Sequence, residues 1–233
     1  MSGKLDIHQY EKSLQAAKLR VTNSAIPKAP KKSILDYEQY LWVQESTSIA
    51  RRITILDRLK SIYEKYLPQK GWESITKKDI EQAIHKMKKD SLADWTIVSN
   101  NAVLKKFYKW LKHGNNHQDK PYPEKVAWLA TQITAKQARD RQLDPDNLIT
   151  PEEVRSLIQA SKLPRDKAFL SMLYELGARI GEVGNLKIGD IQKDPTTKGF
   201  LVSMNGKTGR RNVLLLESVG HLQSWLNLHP LNK

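Results

Sequence analysis

Residues 174–186 read Tyr-Glu-Leu-Gly-Ala-Arg-Ile-Gly-Glu-Val-Gly-Asn-Leu. The apolar segment Ala168 to Leu176 before the break has helical character, and Gly177 is the terminator such a helix needs, because glycine enters the left-handed backbone region without steric cost. Arg179 follows two residues on, and Glu182 about one helical turn later. An arginine beside a helix start can aim its guanidinium into a cleft where the helix dipole also favours an anion. Its planar paired donors suit phosphate oxygens. An isolated arginine of this kind is more often half of a surface ion pair, so its neighbours decide the reading.

On the N-terminal side, Thr150-Pro151-Glu152-Glu153 opens a helix: Thr caps, Pro takes the first helical position and Glu153 completes a capping box. On the C-terminal side, Phe200-Leu201-Val202 and Val213-Leu214-Leu215-Leu216 flank the polar stretch Asn205 to Arg210. They predict two strands joined by a glycine-containing turn, with Lys207 at its tip. A last helix is expected over Ser218 to Leu228, with Leu222, Trp225 and Leu226 on its apolar side.

These residues resemble the signature segments of the tyrosine recombinases, the phage-integrase family. Residues 174–186 are similar to the first box, close to T-G-x-R-x-x-E, with Leu176 in place of the usual Thr. Leu186-Lys-Ile-Gly-Asp190-Ile191 resembles the L-x-x-x-D-I continuation, and Gly206-Lys207-Thr208-Gly209-Arg210-Arg211 the turn that presents a catalytic lysine. Ser224 to Pro230 is similar to archaeal members in particular. The resemblance implies a mainly α fold with a small β-hairpin or sheet: a helical SAM-like core-binding domain, then the N-terminal part of a mixed α+β catalytic domain.

The resemblance also implies roles. Arg179 would bind the scissile phosphate, whose phosphorane carries extra negative charge, and Glu182 would orient its neighbours. Lys207 would donate a proton to the leaving 5′-oxygen. Arg210 and Arg211 would touch backbone phosphates. The family's second box, H-x-x-R, and its tyrosine nucleophile lie downstream of the lysine hairpin. No arginine follows Arg211, no tyrosine follows Tyr174, and neither His221 nor His229 has an arginine three positions on. The expectation is that this polypeptide alone cannot cut or join DNA. A partial gene would account for this, and so would a natural truncation persisting as a DNA-binding regulator or decoy at integrase sites.

Upstream, residues 1–32 are polar and basic and read as an arm with room for one short helix, Pro27 and Pro30 breaking it. Residues 33–113 carry apolar residues at helical spacing in four segments, and match the family's core-binding domain in layout. Their polar faces are rich in lysine, and Lys86, Lys89, Lys105, Lys106 and Lys109 are the candidate DNA contacts. Lysine faces are usually plain solvated surface, so the case rests on there being two on one domain. Residues 114–147 read as a linker containing a polar helix between Glu124 and Gln142, and 148–233 as the partial catalytic domain.

The balance of charge supports a polyanionic partner. The 233 residues carry a formal +14, and residues 1–146 hold 27 Lys and Arg against 17 Asp and Glu. Double-stranded DNA is the expected partner, with self-association on DNA or association with a full-length recombinase as further partners. An RNA-binding role lacks the aromatic or Gly/Arg signatures it would need. The absence of cysteine excludes disulfides and thiolate metal sites. The six histidines are scattered, so no metal and no cofactor is expected. No run approaches the ~20 apolar residues of a membrane helix, and a cytoplasmic location is the expectation.

Overall fold

The structure, a computed structural model, describes residues 9–134, 147–206 and 209–230. The chain divides into two compact units, Met1–Gln142 and Leu143–Lys233. It is mainly helical with one small antiparallel sheet, as the sequence predicts.

The first unit contains helices α1 (Tyr10–Thr22), α2 (Lys28–Val43), α3 (Ile49–Tyr66), α4 (Lys77–Lys89), α5 (Asp94–His113) and the short α6 (Glu124–Ala127). Its core forms around Trp72, whose ring meets Phe107 at 4.7 Å, Tyr63 at 4.9 Å and Tyr108 at 5.8 Å between centroids, all edge-on. The edge-to-face geometry places positive ring edges on negative faces. The indole N–H is satisfied by the Pro30 carbonyl at 3.1 Å.

The arm expected over residues 1–32 carries a full helix. Leu14, Ala17 and Val21 of α1 are buried in this core, and Arg20 holds Asp57 of α3 through two nitrogens at 2.8–3.0 Å. With Tyr10, Ala16 and Leu19 exposed off the buried stripe, the apolar pattern is weak, and packing against α3 is what secures the helix. Pro30, expected as a breaker, lies in the first turn of α2, where a missing N–H costs nothing. Within the stretch expected as linker, Val126 and Leu129 are buried in the same core, and the helix expected over 124–142 ends at Ala127. Residues 135–146 lie outside the described residues.

The second unit contains α7 (Pro151–Ala160), α8 (Pro164–Glu175), α9 (Ile180–Gly184), strands β1 (Ile191–Lys193), β2 (Phe200–Gly206) and β3 (Gly209–Leu215), and α10 (Val219–Leu228). The sheet order is β1-β2-β3, and β2 and β3 form a hairpin closed by the Gly206–Gly209 pair. Strand β1 adds a third member to the two expected, its three residues being too short to show a period. Phe200, Val202 and Met204 alternate inward along β2 and pack with Met172, Val183, Leu215 and Leu222. Glu175, at the end of α8, accepts from the backbone N–H groups of Leu216, Glu217 and Ser218 at 2.6, 3.0 and 2.8 Å, and so holds the turn that leads from β3 into α10.

Candidate functional site

Helix α8 stops where the sequence predicts: Gly177 has φ +52°, and the chain turns before α9 begins. Arg179 is the residue that precedes the first turn of α9, with extended φ −70° and ψ 145°. Having no side-chain acceptor, it cannot cap this turn itself; instead Glu182 reaches back and accepts the Arg179 backbone N–H at 3.2 Å. The same carboxylate accepts from Arg179 Nη1 at 2.8 Å. A helix of five residues has little dipole, so the anion-binding capacity of this corner lies in the guanidinium.

The Arg179 side chain is 64% exposed, whereas that of Glu182 is 6% exposed. The arginine is therefore anchored on one edge and open on the other. Hydrogen bonds from Arg179, then those from Arg211, hold the Glu182 carboxyl below its ordinary range despite its burial. The corner keeps a net positive charge, with two guanidinium groups on one carboxylate.

Lys207 and Thr208 lie outside the described residues; the glycines on either side of them, Gly206 and Gly209, are paired across the hairpin. Arg210 is exposed on β3. Arg211 is turned inward, its Nη2 donating to Glu182 Oε2 at 2.9 Å. Asp190 closes the turn after α9 by accepting the Lys187 N–H at 2.9 Å.

Of the lysines singled out in the first unit, Lys86, Lys89 and Lys106 are exposed. Lys105 and Lys109 are engaged with their own unit. Lys105 Nζ donates to the carbonyls of Ala127 and Leu129 at 2.9 and 3.1 Å, and Lys109 Nζ to that of Gln118 at 2.6 Å. Both ammonium groups also lie over the Tyr122 ring. The lysine periodicity could not separate these two from their neighbours, because their acceptors come from the following segment. Lys125, which no pattern marks, donates to the carbonyls of Trp72, Glu73 and Ile75 and sits over Tyr108. Among the described residues there is no cluster of potential metal ligands, and no helix is long and apolar enough to cross a membrane.

Residues 34–115 match the phage integrase N-terminal SAM-like domain. The chain is 36% identical over 66 residues to the tyrosine recombinase XerA of Pyrococcus horikoshii, covering 28% of this chain and 22% of that protein. It is 23% identical over 171 residues to the tyrosine recombinase XerC of Shewanella amazonensis, covering 70% of this chain and 52% of that protein. The chain thus spans about half the length of the second relative and about a fifth of the first. In fold it is similar to a lambda integrase dimer bound to a core site (TM-score 0.55, 15% identity, 92% of this chain and 58% of that one). It is also similar to the XerH recombinase bound to its difH substrate (TM-score 0.52, 15% identity, 93% and 66%).

Proposed function

We propose, from the premise that this chain belongs to the tyrosine recombinase family, that it binds duplex DNA and contributes one arm of a phosphate clamp used in DNA integration and recombination. The observation that carries the reading is Arg179, anchored by Glu182 through one nitrogen and with most of its side chain exposed. A phosphate oxygen would take the free donors, and the extra charge of a phosphorane would strengthen that contact in the transition state. Lys207, which follows Gly206 directly in the chain, is the proposed general acid for the leaving 5′-oxygen. Lys86, Lys89, Lys106 and Arg210 would contact backbone phosphates, whereas Lys105 and Lys109 hold their own unit together.

The test is an electrophoretic mobility shift with duplex DNA. Affinity is expected to fall steeply with salt, and Arg179→Ala to weaken it about fivefold, equivalent to ~1 kcal/mol. Residues 175–233 hold no tyrosine and no arginine after Arg211. The 233-residue polypeptide by itself is therefore proposed to bind without forming a phosphotyrosyl bond. A covalent adduct on a nicked suicide duplex would overturn that part.

A second reading is a non-catalytic regulator or decoy that occupies integrase sites. It requires Arg179→Ala to leave DNA affinity unchanged. The Ser224 to Pro230 stretch and the identity to an archaeal XerA support an archaeal-type member. Association of two copies on DNA, or with a full-length relative, would appear as slower complexes in the same gels.

A further inference from the structure

The Glu182 carboxylate is divided between two arginines from different elements. Oε1 takes Arg179 Nη1 at 2.8 Å, and Oε2 takes Arg211 Nη2 at 2.9 Å together with the Arg179 backbone N–H at 3.2 Å, so that Arg211 is the side chain that holds the second oxygen. A carboxylate that is only 6% exposed keeps its charge while donors satisfy its lone pairs. Its remaining side is filled by backbone: a Cβ built on Gly206 would lie 2.4 Å from Glu182 Oε1 and 3.1 Å from its Cδ. Glycine at the end of β2 is thus what lets the strand approach the carboxylate.

The register of the hairpin separates the two arginines that follow the turn. Arg211 is paired with Met204, which is fully buried, and Arg210 with Asn205, which is exposed. Paired residues share a face of the sheet, so Arg211 belongs to the inner face and Arg210 to the outer one.

We propose that Arg211 is a positioning residue for Arg179: it fixes the second oxygen of Glu182, and the carboxylate so held gives the Arg179 guanidinium one bearing. This rests on the reading of Arg179 as a phosphate-binding group. Arg211 then makes no DNA contact of its own, and Arg210 is the arginine of the pair that meets phosphate.

Two measurements on the 233-residue chain test this. The first needs no DNA: the Glu182 carboxyl carbon is followed by nuclear magnetic resonance as pH is lowered. Its midpoint lies below the ordinary ~4.3 in the unsubstituted chain, moves up in Arg211→Met and stays in place in Arg210→Met. The second is a double-mutant cycle on duplex DNA affinity. Arg211→Met is expected to weaken binding roughly threefold or more with Arg179 present and not at all in the Arg179→Ala background. Arg210→Met should weaken it equally in both backgrounds. Arg211→Lys keeps the charge but offers a point donor instead of a fork, and serves if the apolar variant does not fold. Its expected effects are in the same direction and smaller.

Equal losses for Arg211→Met in both backgrounds would overturn the proposal, because the side chain would then be touching DNA itself. An unmoved Glu182 midpoint with DNA binding intact would overturn it as well. Absence of any affinity for duplex DNA would instead remove the reading of the site, and the positioning role with it, while a shifted midpoint would leave the Arg211–Glu182 contact standing.

Discussion

Two carboxylates tie the second unit together, and both titrate below their ordinary range. For Glu175, burial pushes the carboxyl up, but hydrogen bonds from Ser218, Leu216 and Glu217 outweigh it; for Glu182 the arginine hydrogen bonds dominate. A depressed folded-state pKa means that the unfolded chain takes up protons first. The stability these groups contribute is complete above the unfolded value, ~4.3, and is lost as pH falls through the folded one. Thermal melts across acid pH should show the second unit losing stability there. Glu175→Gln should flatten that dependence and cost about 1 kcal/mol at neutral pH through weaker hydrogen bonds to the turn before α10. At Gly206 the added methyl of alanine must displace the Glu182 carboxylate, and Gly206→Ala should destabilise the unit by about 1–3 kcal/mol in a denaturant titration.

Helix boundaries were legible where chemistry is local. Thr150 and Glu153 exchange the hydrogen bonds of a capping box at 3.2 and 2.8 Å, and Thr76 and Asp79 do the same at 3.2 and 2.7 Å. Lys70, and then Thr76, hold the Asp79 carboxyl well below the usual carboxylate range. Lysine faces were legible only as periodicity, since α5 presents Lys105, Lys106 and Lys109 alike along the sequence. Of these, Lys106 stays in solvent while its two companions satisfy carbonyls of residues 118–129. Lys106→Met should therefore weaken duplex binding and reduce the slope of log affinity against log salt by about 1, leaving the melting temperature in place. Lys105→Met should lower the melting temperature instead.

At the scale of the molecule, the two units have unequal interiors. The first encloses an aromatic core around Trp72, whereas the second has a smaller core beside its sheet. Buried apolar area is the main source of folding stability, and less of it leaves less to oppose chain entropy. Amide hydrogen exchange should accordingly protect α3 and α5 more strongly than α8 and β2, and the second unit should unfold first on heating.

By itself the sequence determined the capped helix starts at Thr76 and Thr150, the helix stop at Gly177, the hairpin and the candidate arginine. A φ of +52° at Gly177, a threonine cap and an apolar alternation are each decided within a few neighbouring residues. It could not determine that α1 packs on α3, that Lys105 faces inward, or that Arg211 meets Glu182 across 29 positions of chain. Those outcomes depend on which distant groups share one low-dielectric space, where an unpaired charge is costly and a paired one holds its neighbour still. Only the tertiary structure brings such partners within hydrogen-bonding distance.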